Sequence, residues 1–213
     1  MELDRILESA GTCRYYRPDP IPADVLHRVL DAARWAPTGG NRQPVRFVVV
    51  QERPAKEALQ AIYLPRWHAY AGARLETLKQ SGVALPRMLA GADHMARHLA
   101  EIPALVVVCF RAADVLATDA GLGRTSVVGG ASVYPAVQNL LLKARDEGLG
   151  AALTTLHCLD EAKVKALLEI PEEFGTAALL ALGWPERPFP QRLSRRPLEE
   201  IAFGERFGGP LAR

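Results

Sequence analysis

The stretch Ala36-Pro37-Thr38-Gly39-Gly40-Asn41-Arg42-Gln43-Pro44, running straight into Val45-Arg46-Phe47-Val48-Val49-Val50-Gln51, decides how this chain is read. Upstream of it, Val25, Leu26, Val29, Leu30 and Ala33 make an apolar stripe at helical spacing over residues 22–36. Pro22 suits the first turn of that helix, and Pro37 with Gly39-Gly40 ends it. Downstream, residues 45–51 are β-branched and continuous enough to predict a strand buried on both faces. A helix stop needs only one glycine. Here two glycines let the backbone approach a flat ligand, and Asn41 and Gln43 add donors and acceptors. Such a polar loop in front of a strand is more than punctuation requires.

Outward from this point the chain alternates helices with few strands. A helix is expected over residues 54–63, irregular or broken helix over 64–82, and a helix over 86–101 before a buried strand at 104–110. A Gly-rich stretch (Gly121, Gly123, Gly129, Gly130) precedes a long helix over 132–147, with Val133, Val137, Leu140, Leu141 and Ala144 on one side. Gly148 caps that helix, and a short strand follows near 151–156. Asp160 is placed to cap a helix ending before Pro171, and 176–183 is a further buried strand. The pattern predicts an α+β fold, a small mixed or antiparallel sheet covered by helices. Residues 1–183 are expected to form one domain. Residues 184–213, with five prolines and no period, are expected to form a C-terminal arm of it.

Composition narrows the function. The chain has 213 residues, 49% of them hydrophobic, with 26 basic against 24 acidic side chains, a formal charge of +2. That balance offers nothing to a nucleic acid in bulk. The longest apolar run, residues 104–110, is far too short to span a membrane, and the first residues lack the apolar core of a signal peptide. Cys13, Cys109 and Cys158 have no paired spacing, so neither a disulfide framework nor a metal knuckle is expected. A cytoplasmic, metal-free protein without nucleic-acid or membrane partners is the expectation.

Two further segments combine small hydroxyls with arginine: Thr12-Cys13-Arg14-Tyr15-Tyr16-Arg17 and Arg192-Leu193-Ser194-Arg195-Arg196-Pro197. Guanidinium forks suit a phosphate monoester, although short basic runs are also ordinary solvated surface; spacing alone leaves both readings open. Gly121-Leu122-Gly123 and Gly148-Leu149-Gly150 each lack the third glycine of a dinucleotide fingerprint. His94 and His98 stand four apart without the Glu of a metalloprotease helix. His157 and Cys158, read as neighbours on one strand, point to opposite faces and make no nucleophile–base pair.

Taken together these segments resemble the FMN-dependent nitroreductase family. The resemblance rests on Pro18-Asp19-Pro20-Ile21-Pro22, the 36–44 loop, Tyr134-Pro135-Ala136-Val137-Gln138-Asn139-Leu140-Leu141-Leu142, Gly148-Leu149-Gly150-Ala151-Ala152-Leu153-Thr154-Thr155, Ala181-Leu182-Gly183-Trp184-Pro185 and residues 194–200. It covers about residues 1–60 and 125–213 in one collinear order. It implies an FMN site in which Thr12 and Arg14 belong to the N-terminal flavin-binding segment. Pro37, Thr38, Gly39, Asn41 and Gln43 belong to the loop around the ribityl chain and ring. Thr154, Thr155 and Leu156 would present backbone N–H groups to the N5 edge. Arg195 would bind the phosphate, with Arg196 sharing or replacing it.

The resemblance also implies a homodimer with exchanged C-terminal arms, and NAD(P)H as donor to a small-molecule acceptor such as a nitroaromatic or quinone. Turnover would be ping-pong, and no side chain need act as acid, base or nucleophile, because the cofactor carries the chemistry. A cation near N1 and O2 would stabilise the reduced ring, and Arg14 is the candidate for that or for the phosphate. Flavin destruction, reductive dehalogenation and flavin sequestration are the alternatives. Ala10 and Gly11 stand where many members carry a first arginine, and Val45 where a tryptophan is frequent. Residues 64–101, which shape the substrate side, match no pattern; Trp67, Tyr70 and Met88 are candidates for the pocket wall.

Overall fold

A computed structural model describes residues 2–212; Met1 and Arg213, the outer ends of the two expected regions, lie outside them. Four antiparallel strands form one sheet in the order β1-β2-β4-β3. They are β1 (Val45–Val50), β2 (Ala104–Arg111), β3 (Gly150–Thr154) and β4 (Phe174–Gly183). The helices are α1 (Leu3–Ser9), α2 (Ala23–Ala33), α3 (Arg53–Gln80), α4 (Arg87–Arg97), α5 (Tyr134–Asp146) and α6 (Glu161–Leu167).

The two inner strands alternate their side chains between two cores, as the pleat requires. Leu105, Val107, Cys109, Leu179 and Ala181 pack beneath α3 and α4. Val106, Val108, Ala178, Leu180 and Leu182 pack beneath α2 and α5. Both faces of the sheet are therefore covered; of its two edges, β3 is partly closed by the N-terminal segment at Thr12 and Cys13, and β1 is open.

Several expectations change at this level. Residues 53–80 are a single helix, not a helix followed by irregular chain, with Pro65 inside it. Leu59, Tyr63, Trp67, Ala71 and Leu75 are all buried on one face, a stripe that continues through the proline. Packing of that stripe outweighs the roughly 3 kcal/mol a mid-helix proline costs. β1 is half-buried rather than buried on both faces, because it is an edge strand. Asp160 makes no side-chain cap; its carboxylate pairs instead with Arg66 and with Lys163. Val133, just before α5, and Val137, Leu140 and Ala144 on it are buried within their own subunit against α2 and the sheet. Arg28 on α2 closes the pair with a two-pronged bond to Glu147, at 3.1 and 2.9 Å.

Candidate functional site

The N-terminal segment is tied to the β3 edge. Cys13 N–H donates to the Ala151 carbonyl at 2.8 Å, and Thr12 bridges Ala151 in parallel. Beyond Cys13 the chain crosses to the α3–α4 side. The Arg14 stem lies against Gly91 of α4, where even an added Cβ would come within 3.2 Å of it. Tyr15 is sandwiched between the His94 ring at 4.4 Å and the Arg187 guanidinium at 3.9 Å. Among the described residues Arg14 has no carboxylate partner, so a half-buried cation stands ready for an anionic or electron-rich group.

At the far end of β3, the Thr154 hydroxyl is already engaged at 2.9 Å by the buried Tyr63 hydroxyl of α3. Burial pushes the Tyr63 phenol up, so it stays neutral and holds the strand end in place. Thr155 and Leu156 follow as the chain turns into a short 3-10 segment; Thr155 is exposed and makes no side-chain cap.

The arm reaches this same edge. Trp184 to Leu193 run over their own subunit: Trp184 Nε1 donates to the Pro20 carbonyl at 3.2 Å, and Leu193 N–H donates to the Glu8 carbonyl at 2.7 Å. Leu193 lies against Gly11, and Arg195 follows two residues later, within about 7 Å of extended chain. Arg195 and Arg196 are exposed; Arg195 donates only to its neighbour, the Ser194 carbonyl, and Arg196 faces Glu200 at 4.0 Å. From Leu198 onward Leu198, Ile201 and Phe207 are exposed, whereas Ala202, Phe203 and Gly204 are half-buried.

The Pro37–Gln43 loop lies elsewhere, at the β1 edge. It holds its own shape. Gly40, Asn41 and Gln43 have φ of 60°, 53° and 48°, left-handed positions broken by Arg42 at −74° that cost energy at the two non-glycine residues. Thr38 Oγ1 accepts the Gln43 N–H at 3.1 Å, the Gln43 side chain donates to Asn41 Oδ1 at 3.1 Å, and Gly39 N–H donates to Ser132 Oγ at 3.0 Å. Beside the loop a cavity of about 390 Å³ opens, floored by Leu30, Ala33, Val45 and Phe47, with Arg34 and Arg46 at its rim.

The structure thus brings Thr12, Arg14, Thr154, Thr155, Leu156 and the root of Arg195 to one edge, and leaves Pro37, Thr38, Gly39, Asn41 and Gln43 at the other. Ala151 pairs with Leu182, whereas Val45 aligns through Phe110 with Gly175. Three strand spacings across and seven residues along put the Thr12 end of β3 about 25 Å from Val45, while the Thr154 end, aligned through Leu179 and Val107 with Val48, lies about 18 Å from it. The two groups lie at opposite edges of the sheet, and helices cover both routes across it.

Elsewhere the chemistry is quiet. Cys158 Sγ lies 3.6 Å from His157 Nε2, because the chain here is a 3-10 turn and not the strand expected; the two do meet. They form no reactive pair, since burial lowers the His157 pKa to about 4 and pushes the Cys158 thiol up. His94 and His98 stack on each other at 4.4 Å, and no group of three metal-ligating side chains exists among the described residues. Trp67 is not a pocket wall: it is buried and donates to Asp93 at 2.8 Å, while Tyr70 and Met88 are exposed on the surface. Tyr63, Gly91 and Ser132 carry no motif that marks them in the sequence. Only Tyr63 leaves a trace there, as a member of the α3 stripe.

The Nitroreductase family model matches residues 7–184. The chain belongs to the nitroreductase family. It is 32% identical to a 5,6-dimethylbenzimidazole synthase of Rhodospirillum rubrum, over 99% of this chain and 93% of that one. It is also 32% identical to an NADH dehydrogenase of Thermus thermophilus, over 89% of each. Among solved structures, an iodotyrosine deiodinase bound to FMN and 3-iodo-L-tyrosine superposes with a TM-score of 0.69 at 23% identity, over 92% of this chain and 96% of that one. An FMN complex from Desulfovibrio desulfuricans, described as a nitroreductase, gives 0.69 at 22% identity over 97% and 98%. These likenesses bear out the α+β fold and the family, and FMN is the cofactor in those neighbours. Among the described residues no helix is long and apolar enough to cross a membrane.

Proposed function

We propose that this nitroreductase-family protein is a homodimeric FMN-dependent oxidoreductase, reduced by NAD(P)H, whose two active sites are each assembled from both subunits. The observation that carries the proposal is the separation of the two half-sites. A cationic, hydroxyl-bearing edge at β3 and a preformed polar loop at β1 cannot meet within one chain, but a twofold axis brings each to its counterpart on the partner. Two features of the β1 side favour such a partner: an open strand edge and an apolar cavity with Arg46 at its rim. The exposed Leu198, Ile201 and Phe207, accompanied by Glu199 and Glu200, have the chemistry to fill it.

FMN, when bound, supplies two-electron redox chemistry between NAD(P)H and a nitroaromatic or quinone-type acceptor. The chain's own residues bind and orient. Arg195, with Arg196 beside it, holds the phosphate together with Thr12. Arg14 holds either the phosphate or the electron-rich edge of the ring, its pose set by Gly91. The backbone of Thr154, Thr155 and Leu156 faces the N5 edge, stiffened from behind by Tyr63. From the partner, Pro37, Thr38, Gly39, Asn41 and Gln43 close the other side. No side chain at either edge acts as acid, base or nucleophile, consistent with the neutral His157 and Cys158.

The test is anaerobic mixing of the FMN-loaded protein with NADH or NADPH. Rapid bleaching at 450 nm (roughly the flavin band), followed by reoxidation with a quinone, is expected. Initial rates at several acceptor concentrations should give parallel lines, because donor and acceptor take turns at one face. A protein that binds FMN and is not bleached would refute the reductase reading. A relative named a 5,6-dimethylbenzimidazole synthase matches 99% of the chain, and a second reading, oxidative breakdown of the bound flavin, remains among the alternatives of this family. Its mark is irreversible loss of flavin absorbance when the reduced protein meets air.

A further inference from the structure

The N-terminal segment that touches the β3 edge supplies a hydroxyl at Thr12 but no cation at Ala10 or Gly11. One arrives from elsewhere. A cavity of about 100 Å³ is lined by Ala10, Gly11 and Thr12 on one side and by Arg145 of α5 and Phe189 of the arm on the other. The Arg145 Nε donates to Ser9 Oγ at 3.1 Å, and its guanidinium lies 3.9 Å from the centre of the Phe189 ring. Both contacts fix the plane of the guanidinium while leaving its two Nη groups without a protein acceptor among the described residues. Among those residues no carboxylate is within ion-pair distance of it; Glu8, next to Ser9 on α1, is taken by Arg192 at 3.2 Å. Partial burial and the neighbouring charge of Arg5 lower its pKa, in that order, and the charge of the adjacent Asp146 offsets them only in part. The fold therefore bears a cation here without a direct partner.

A half-buried arginine held rigidly by a hydroxyl and a ring, with its fork free, is a site for an oxyanion. The same cavity includes Thr12, and Leu193, two residues before Arg195, packs on Gly11. We propose that Arg145 is a phosphate ligand for the cofactor, a cation contributed by α5 beside Thr12, where Ala10 and Gly11 supply none. This rests on the FMN reading above. It also gives the arm a second role, because Phe189 positions the Arg145 fork, so docking of residues 184–193 and phosphate binding support each other.

The experiment compares two probes that differ only in the phosphate. FMN and riboflavin are titrated into the full-length protein, into Arg145→Met, which keeps the stem over Phe189 without the charge, and into Arg145→Lys. Arg145→Met should weaken FMN binding roughly tenfold to a hundredfold and leave riboflavin within about twofold. Arg145→Lys should lose less, because the charge remains and only the fork is gone, and its loss should again be confined to FMN. If Met fails to fold, the Lys variant alone decides by the same contrast. Equal losses for FMN and riboflavin, or no loss of FMN affinity, would overturn the assignment. Wild-type protein that ignores FMN would instead overturn the functional reading on which it rests.

Discussion

If each flavin site draws one half from each subunit, two differently crippled chains should rescue one another. Consider one chain carrying Arg14→Ala with Arg195→Ala, and a second carrying Thr38→Ala with Asn41→Ala. The first loses the cations of the β3 edge. The second loses the donors of the β1 loop and the Thr38–Gln43 bond, at 3.1 Å, that shapes it. Each charged hydrogen bond removed costs on the order of 1.5–3 kcal/mol, so the first parent should bind FMN at least roughly a hundredfold more weakly than wild type. Random pairing of equal amounts gives about half mixed dimers. In a mixed dimer one site collects both damaged halves and the other collects two intact ones. About a quarter of all sites should therefore be wild-type in affinity, whereas either parent alone has none. Differently tagged chains, co-expressed and taken through both affinity steps, isolate the mixed dimer, in which the expected stoichiometry is about one FMN per dimer. FMN absorbance per chain after gel filtration reads it directly. If both halves came from one subunit, the mixture would bind no more FMN than the average of its parents, and that result would refute the split site.

Two other outcomes follow from the same structure. A chain ending at Pro197 keeps the contacts of Trp184, Phe189 and Leu193 with its own subunit and should fold, yet sediment as a monomer with FMN affinity sharply reduced; a stable dimer would show that the exposed apolar groups beyond it serve no partner. His157 is buried and its folded pKa is about 4, below the ordinary 6.5. The unfolded chain takes up a proton on that imidazole first, so stability is full above pH 6.5 and falls by about 3 kcal/mol as the pH drops to 4. Urea melts across that window should lose this component in His157→Leu; identical pH profiles for both proteins would contradict it.

The fold was legible where burial and period agree. Residues 104–110 and 176–183 read as inner strands because every side chain on them must avoid water, and they are the two central strands. The α3 helix was half-read because Pro65 and a run of polar, exposed residues hide a stripe whose members stand four apart. A local signal of interruption competed with a weak periodic one, and packing against β2 and the 3-10 turn after β3 settled it. The edge position of β1 was not legible at all. Val45 to Val50 are as apolar as an inner strand, and only the strand order shows that one side of it lacks a neighbour.

The candidate site was legible in a different way, as residues without a geometry. The polar loop announced itself because Gly39-Gly40 and Asn41 exceed what a helix stop needs, and in the structure Gly40, Asn41 and Gln43 take positive φ there. Nothing in the order of residues says that this loop and Thr12 sit about 25 Å apart, because that distance is a property of strand order rather than of sequence spacing. The same separation that keeps the two groups apart in a single chain is what the proposed dimer would bridge. Arg145 was invisible for the converse reason. On α5 it reads as a basic residue in the last turn, well placed against the helix dipole, and only its position beside Ser9 and Phe189 reveals a fork with nothing to hold. A cation's function is set by the acids it does not have around it, and those absences are written in three dimensions.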